Sequence, residues 1–250
     1  MRKKIVAVIQ ARTSSERLPR KVLLPLGGVP VIDHVITAVK NSTLIDNVIL
    51  ATTTNSCDDE LTSSGIRMGI RVFRGSENDV LGRFVGALEG ENADIVIRQT
   101  ADDPLLDPIV IDKVIKVFLH GDCDYASNIL TRTWPRGLDT EVFSRNALDR
   151  TYSEGMLPEH REHVTIYMRT NPDKFRLRNV KAPQDETWPE LRLCIDTKSD
   201  YDLLQEVFDA LWASGVVLHI KDIIAWLKAH PEIASLNAKV EQKKVFGQTF

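Results

Sequence analysis

Residues 5–21 read IVAVIQARTSSERLPRK, and this stretch decides the fold. Its first five residues form an apolar run that predicts a strand buried inside a parallel sheet. The loop that follows carries one acidic side chain, Glu16, and four basic ones, Arg12, Arg17, Arg20 and Lys21. A loop at the carboxyl end of the first strand of an open α/β sheet is a common place for a polyphosphate to bind. On charge alone, a solvated basic surface loop explains the pattern equally well.

Strand and helix patterns alternate from this stretch onward. Apolar runs predict strands at 4–9, 47–51, 71–73 and 94–98, and amphipathic segments predict helices at 30–40, 58–68, 79–89 and 108–119. This alternation predicts an α/β fold with a doubly wound, mostly parallel mixed sheet between two layers of helices, which is a three-layer Rossmann-like arrangement. Neither G-x-x-x-x-G-K-[ST] nor G-x-G-x-x-G occurs in the chain, so the basic loop is not one of those phosphate loops.

The second half of the chain breaks the alternation. An antiparallel strand is predicted at 138–143, a helix at 158–168, strands at 175–180 and 192–195, and helices at 198–213 and 220–230. The polar stretch 233–250 is either a frayed tail or an arm that binds a partner. No repeat or low-complexity linker divides the sequence, so we expect one domain, 1–250, with a substrate-facing insertion around 124–170.

The composition excludes several classes of protein. With 250 residues, 43% hydrophobic and 27% charged, it is typical of a soluble globular protein, and the net charge of −3 argues against a general nucleic-acid binder. The three cysteines, Cys57, Cys123 and Cys194, form no C-x-x-C pair, which argues against a disulfide framework or a zinc site. No signal-peptide pattern and no apolar run of about 18 residues occurs. We therefore expect a cytoplasmic protein with neither a nucleic acid nor a membrane as partner.

Aspartates follow two of the predicted strands. Asp102 and Asp103 come after the strand at 94–98, and Asp196 comes after the strand at 192–195. Mg²⁺ typically uses one or two protein carboxylates together with waters and phosphate oxygens, so Asp102 and Asp196 are candidates to share a Mg²⁺ ion. The alternative is structural, because aspartates at these positions also start helices and turns.

Taken together, the motifs resemble a known family. The segments ARTSSERLPRK (11–21), ADDP (101–104) and IDT (195–197) resemble the sugar cytidylyltransferases, which make CMP-activated acidic sugars. RGSENDVLGRF (74–84), PRGLDTEVF (135–143) and EHVT (162–165) are similar to motifs of the spore-coat-polysaccharide branch of that group. The resemblance covers roughly residues 5 to 204, and the ordered set of motifs is more specific than any one of them.

The resemblance implies a Mg²⁺-dependent transfer of CMP from a nucleoside triphosphate, CTP, to a sugar or sugar acid, with release of pyrophosphate and with a homodimer as the assembly. It implies catalytic roles for Arg12, Lys21 and Asp102, and a metal site at Asp102 and Asp196. It places Ala11, Arg12, Ser14, Ser15, Arg17, Lys21, Thr53 and Gln99 around the nucleotide. It places Arg74, Asp79, Trp134, Arg136, Asp139, Glu141 and His163 around the acceptor.

The sequence departs from the family pattern at three points. Arg20 stands where glycine is common, and Ala101 replaces the glycine that usually precedes the metal aspartate. A histidine motif typical of the Kdo branch is missing, which argues against Kdo as the acceptor.

Two other functions stay open at this point. A glycosyltransferase uses a similar sheet and a strand-end carboxylate, although Lys21 in a basic loop favours a free triphosphate. A non-catalytic protein could keep the fold, as the departures at Arg20 and Ala101 allow.

Several residues also have structural explanations. Arg74 and Arg83 could form ion pairs with Glu77 and Asp79 only, and His163 could be a partly buried helix residue. Trp134 is as well explained by a core aromatic as by stacking on a sugar.

Overall fold

A seven-stranded sheet forms the centre of the structure, a computed structural model that describes residues 2–242. Its strands are β1 (Ile5–Gln10), β4 (Asn47–Thr53), β5 (Arg71–Gly75), β6 (Ile95–Thr100), β7 (Tyr125–Ser127), β8 (Glu141–Ser144) and β9 (Leu177–Asn179), in the order β5-β4-β1-β6-β8-β7-β9. In this sheet only the pairings of β8, with β6 and with β7, are antiparallel. The predicted doubly wound, mostly parallel mixed sheet is therefore confirmed. A separate hairpin joins β2 (Pro25–Leu26) and β3 (Val29–Pro30).

Helices cover both faces of this sheet. One face packs against α1 (Val31–Lys40), α2 (Asp59–Arg67) and α4 (Pro108–His120). The other packs against α3 (Val80–Ala87), α5 (Arg145–Glu154) and α7 (Ile166–Thr170). Because side chains alternate along a strand, Ile5, Ala7 and Ile9 of β1 enter the first core, and Val6 and Val8 enter the second. The result is the three-layer arrangement that the sequence predicts.

A third apolar cluster lies beside the carboxyl ends of the strands. It contains buried residues of α8 (Lys198–Leu211) and α9 (Ile220–Ala229), together with Leu26 and Trp134. The predicted helices at 198–213 and 220–230 are confirmed with shifts of one or two residues, and the short α10 (Pro231–Ala234) follows them. This cluster supports the chain where it passes Asp196.

The register brings four loops to one edge of the sheet. Gln10 at the end of β1 pairs with Ala51 of β4 and with Thr100 at the end of β6. Thr53 at the end of β4 pairs with Gly75 at the end of β5. Because these strands are parallel, the loops after β1, β4, β5 and β6 lie side by side, which is where open α/β sheets bind ligands.

The predicted helix at 158–168 is wrong as a continuous element. It is divided into α6 (Pro158–Glu162) and α7, with a break at 163–165. Thr165 in the break is buried, and its hydroxyl donates to the carboxylate of Glu141 at 2.6 Å. That polar contact turns the chain toward the sheet, and the period of the apolar residues alone does not reveal it.

The predicted strand at 192–195 is also wrong, because only an isolated bridge between Arg136 and Arg192 forms there. Close packing against Gly137 explains the bridge, since a Cβ on this glycine would lie 2.6 Å from the backbone of Leu193. Among the strands that do form, β8 starts three residues later than predicted and β9 is shorter. Pro30 lies in β3, directly before α1, and not in the first turn of the helix.

The first part of the predicted tail packs against the fold. Asn237 is buried and donates to the backbone oxygen of Arg192 and to Asp200 at 2.9 Å each, and Gln242 accepts a hydrogen bond from Arg192. A frayed segment is therefore wrong for 237–242, whereas 243–250 lies outside the described residues. No helix within 2–242 is long and apolar enough to cross a membrane.

Candidate active site

The loop after β1 is held by the buried carboxylate of Asp58. The backbone N–H and the hydroxyl of Thr13 donate to Asp58 Oδ1 at 2.8 and 2.6 Å, and the Thr53 hydroxyl donates to Oδ2 at 2.5 Å. Burial raises the pKa of Asp58, but these hydrogen bonds outweigh burial and hold the pKa below its usual range. The ionised carboxylate therefore fixes the shape of the basic loop.

Lys21 lies between two strand-end carboxylates. Its Nζ donates to Asp102 Oδ2 at 2.5 Å, to Asp196 Oδ1 at 2.8 Å and to the backbone oxygen of Ile195 at 2.6 Å. Burial lowers the pKa of this ammonium, but the two aspartates outweigh burial and raise the pKa above its ordinary value. Lys21 is therefore a fixed positive charge at this edge of the sheet.

Asp196 is surrounded by cations. Besides Lys21, it pairs with Arg17 at 2.9 Å and with Arg192 at 2.5 Å. Burial raises its pKa, but Lys21, Arg192 and Arg17 together outweigh burial and hold the pKa below the ordinary value. The Asp196 carboxylate is thus ionised at neutral pH.

Two cavities adjoin at this cluster. The first, which we call the β1 cavity, has a volume of about 520 Å³ and lies against the basic loop, and the second, the β8 cavity, has a volume of about 330 Å³ and lies against β8. Both are lined by Arg17, Thr100, Asp102, His163 and Asp196. A group bound in one cavity can therefore meet a group bound in the other beside Asp102 and Asp196.

The β8 cavity is lined by many charged side chains. Glu141, at its wall, is buried and accepts hydrogen bonds from Arg98, from the Tyr125 hydroxyl and from Thr165. Arg132 and Asp139 form a two-pronged ion pair at 2.8 and 2.9 Å. Burial and the neighbouring Asp102 raise the pKa of Asp103 well above its usual range.

The sequence profile of one family, described as cytidylyltransferase, matches residues 6–248. The chain belongs to the cytidylyltransferase family. The predicted membership of this family is thereby confirmed, and so are the α/β fold and the class of transferase that it implies.

Known relatives of this cytidylyltransferase cover nearly its whole length. It is 37% identical over 243 residues to the uncharacterized protein MJ1063 of Methanocaldococcus jannaschii, which is 96% of this chain and 97% of that protein. It is 36% identical over 236 residues to the spore coat polysaccharide biosynthesis protein SpsF of Bacillus subtilis, which is 92% of this chain and 97% of that protein. The structure of a cytidylyltransferase from Leptospira borgpetersenii superposes with a TM-score of 0.87 at 31% identity, covering 99% of this chain and 100% of that one.

Most of the predicted nucleotide residues of the cytidylyltransferase line the β1 cavity, namely Ala11, Arg12, Ser14, Ser15, Arg17 and Lys21, with Asp102 and Asp196. Two do not. Thr53 is buried and its hydroxyl is bonded to Asp58. Gln99 is fully buried, and its amide donates to the Thr140 hydroxyl at 3.1 Å. Neither side chain lines the β1 cavity or the β8 cavity.

The predicted acceptor residues divide in the same way. Arg136, Asp139, Glu141 and His163 line the β8 cavity. Trp134 does not, because it is fully buried and its ring N–H donates to the backbone oxygen of Val180 at 3.1 Å. Of the two explanations for this tryptophan, the core aromatic is the one that the structure supports, and stacking on a sugar is excluded in this conformation.

Arg74 and Asp79 are also outside the lining of both cavities. Arg74 donates to the backbone oxygens of Thr53 and Asn55 at 2.8 Å and pairs with Asp59 at 2.7 Å, so it does not form the expected ion pairs with Glu77 and Asp79. Asp79 caps α3 by accepting from the backbone N–H of Gly82 at 2.8 Å. Both residues shape the loops around the site.

The departure at Arg20 has a conformational meaning. The backbone of Arg20 has φ of +59°, a left-handed conformation that glycine adopts without strain. Its side chain is half exposed, pairs with Glu60 at 2.7 Å and does not line the β1 cavity. Ala101 has a negative φ, so alanine fits there without strain. Neither departure disturbs the walls of the site.

The residues present fit a Mg²⁺ ion. Asp102 and Asp196 approach the same ammonium within hydrogen-bond distance, so both carboxylates are within reach of one cation. Within residues 2–242, no group of three or more His, Cys, Asp or Glu side chains is placed to hold a metal. Waters and phosphate oxygens would supply the further ligands of an ion here, which is how Mg²⁺ sites of nucleotide-binding enzymes are completed.

Sequence reasoning did not assign several arginines to the cavities that they line. Arg83, considered only as an ion-pair residue of its motif, lines the β1 cavity, and Arg98, Arg132 and Arg169 line the β8 cavity. Arg98 had a usable signal, because a charged residue interrupts the apolar run of β6 near its end. The other arginines lie on a helix or a loop where a solvated surface position explains the sequence equally well.

Proposed function

We propose that the protein is a sugar cytidylyltransferase that transfers CMP from CTP to a hydroxyl of a sugar or sugar acid and releases pyrophosphate. The observation that carries this proposal is the position of Lys21, Asp102 and Asp196 where the two cavities meet. That arrangement suits a reaction in which two substrates meet at a charged phosphate.

The β1 cavity would hold the triphosphate. Arg12 and Lys21 are the cations that we assign to the phosphates, and Ser14 and Ser15 lie on the same wall. Lys21 hydrogen-bonds Asp102 and Asp196, and to reach a phosphate oxygen it would exchange at least one of those bonds. Its fixed charge would then stabilise the negative charge that grows on the α-phosphate and on pyrophosphate.

Asp102 and Asp196 are the residues that we assign to a Mg²⁺ ion. When bound, the ion would neutralise phosphate oxygens and acidify the attacking hydroxyl. Arg17 and Arg192, which pair with Asp196, fix the direction of that carboxylate.

The β8 cavity would hold the acceptor. Five arginines line it, Arg17, Arg98, Arg132, Arg136 and Arg169, and so do five carboxyl groups, Asp102, Asp103, Asp139, Glu141 and Asp196, so the lining offers both donors and acceptors to the hydroxyl and carboxylate groups of a sugar or sugar acid. Asp139 is oriented by Arg132 and is suited to accept hydrogen bonds from sugar hydroxyls. His163 lines both cavities, and burial lowers its pKa, so it is a neutral hydrogen-bonding group at the junction.

We also propose a cytoplasmic homodimer. Three exposed apolar side chains close together in sequence, Tyr152, Met156 and Leu157, are 39%, 74% and 51% exposed and provide an apolar contact surface. A mass of one chain in size-exclusion chromatography with light scattering would contradict the dimer.

The test is release of pyrophosphate from CTP in the presence of Mg²⁺ and a panel of sugars and sugar acids. We expect an acceptor-dependent release that falls at least about a hundredfold in Asp102→Asn, since this change removes the negative charge assigned to the metal. A matched control is Asp209→Asn, which changes an exposed aspartate outside both cavities. Full activity in Asp102→Asn would contradict the metal assignment, and release of a nucleoside diphosphate from a nucleotide sugar would indicate a glycosyltransferase.

A further inference from the structure

Arg83 is a buried cation at the wall of the β1 cavity. It lies on α3, is 3% exposed, and its Nη1 donates to the backbone oxygen of Ser76 at 2.7 Å. Among residues 2–242 no ion pair satisfies it, and its Nε has no hydrogen-bond partner. Burial, and then the nearby Arg12, lower its pKa below the ordinary value, although Asp58, Glu77 and Asp79 act in the opposite direction, and an arginine stays protonated at neutral pH. Such a group is costly to bury unless something else pairs with it.

The position of Arg83 suggests what pairs with it. Arg83 lines the β1 cavity together with Glu77 and Val80, beyond the end of β5. Asp102 lines the same cavity beyond the end of β6, and two strands, β4 and β1, lie between β5 and β6. Three strand spacings separate the two ends of the cavity by roughly 14 Å. A nucleotide whose phosphates lie at Lys21 and Asp102 would therefore have its nucleoside end near Arg83.

The neighbours of Arg83 suit the neutral ring of a base. Val80 supplies an apolar surface on the same wall. Glu77 places a negative charge beside it, and this carboxylate is held by Ser14 at 2.5 Å and by Asn55 at 2.7 Å. Glu77 also pairs with Arg12 at 3.5 Å, so its charge is already compensated, and a neutral ring with hydrogen-bond acceptors fits beside it and Val80 without bringing a further charge.

We propose that Arg83 determines base specificity by donating hydrogen bonds to N3 and O2 of cytosine. Both atoms are acceptors on one edge of the ring, and a guanidinium presents only donors in a rigid fork. Uracil carries a hydrogen on N3, which would face the donors of Arg83. The assignment rests on the proposed use of CTP and extends it to the residue that would distinguish CTP from UTP.

The experiment compares binding of CTP, UTP and 3-deaza-CTP in the presence of Mg²⁺ by calorimetry. In 3-deaza-CTP a C–H group replaces N3, so one acceptor is lost and the size of the ring is kept. We expect the wild-type protein to bind CTP at least about tenfold more tightly than either analogue, because a hydrogen bond from a charged donor contributes that much. In Arg83→Met, which keeps the length of the side chain, the three affinities should agree within about twofold.

Arg67→Met is the matched control, because Arg67 pairs with Asp33 outside the β1 cavity and its loss should leave the wild-type ratios unchanged. If Arg83 had only a structural role, its loss would weaken the binding of all three ligands equally. Arg83→Met would then keep the wild-type ratio of CTP affinity to 3-deaza-CTP affinity, and this result would overturn the proposal. Equal binding of both ligands by the wild-type protein would also overturn it, and this measurement needs no variant to fold. If the wild-type protein bound no CTP, both the proposed function and the role of Arg83 would be refuted. If it bound CTP and 3-deaza-CTP with equal affinity, only the role of Arg83 would be refuted.

Discussion

Replacing Lys21 by methionine tests whether its ammonium stands in for a bound cation. The change removes the charge between Asp102 and Asp196 and keeps most of the side-chain volume. Removal of one partner of a buried ion pair typically costs about 3–5 kcal/mol. Here Asp196 keeps its ion pairs with Arg17 at 2.9 Å and with Arg192 at 2.5 Å, and the Asp102 side chain is 28% exposed. We therefore expect a loss of unfolding free energy at the lower end of this range, about 3 kcal/mol.

The same variant should bind a divalent cation without nucleotide. Without the ammonium, Asp102 and Asp196 can bind Mg²⁺ or Mn²⁺ directly. A free cation concentration about a hundredfold above the dissociation constant would raise the free energy of unfolding by about 2.7 kcal/mol. The assay is urea unfolding, followed by circular dichroism, at increasing Mn²⁺ concentration and without nucleotide. In the wild-type protein Lys21 competes for this place, so Mn²⁺ should change its stability much less.

Lys40→Met is the control, because Lys40 is exposed and only donates to the backbone oxygen of Met68, and its effect should stay below about 0.5 kcal/mol. The reasoning is refuted if Lys21→Met unfolds like the wild-type protein, or if Mn²⁺ stabilises the two proteins equally.

Three further substitutions test the surroundings of the site. Asp58→Asn should destabilise the protein by about 2 kcal/mol at pH 7, since it weakens the contacts with Thr13 and Thr53. Because the folded-state pKa of Asp58 is depressed, the stabilisation by its carboxylate is present above the ordinary pKa of 3.8 and is lost as the pH falls through the folded value. In urea unfolding, the stabilities of the two proteins should therefore converge below pH 4. Arg20→Gly should keep the unfolding free energy within about 1 kcal/mol of the wild type, because relief of the left-handed backbone offsets the lost surface pair with Glu60, and a loss above 2 kcal/mol would contradict this. Gly137→Ala should cost at least about 2 kcal/mol, because φ is +98° and the new Cβ would lie 2.6 Å from the backbone of Leu193; a melting temperature equal to that of the wild type would rule out this packing.

The regular part of the fold could be predicted from periodicity. The apolar run at 5–9 and the helix pattern at 108–119 agree with β1 and α4 within one residue, because both elements are buried on clear faces. The second half was less predictable, since polar contacts decide it. Thr165 divides the helix at 158–168 through Glu141, and Gly137 packs against the segment at 192–195. The single domain over 1–250 stays a prediction.

The candidate site could be assembled from the sequence only in part. Asp102 and Lys21 come together because both follow the carboxyl ends of neighbouring strands, and strand order in such sheets is regular enough to anticipate this. The direction of a side chain is not regular in the same way. Gln99 and Trp134 lie next to motifs that border the site, yet both are fully buried in the core. Arg83, which lies within such a motif, lines the β1 cavity.

The central claim is that the β1 cavity holds CTP with a divalent cation. Calorimetric titration of the wild-type protein with CTP, UTP, GTP and ATP, each with and without Mg²⁺, tests it most directly. We predict selective binding of CTP, strengthened by Mg²⁺, with at least a tenfold preference over UTP, which corresponds to about 1.4 kcal/mol. Absence of binding for all four triphosphates, with or without Mg²⁺, would contradict the account.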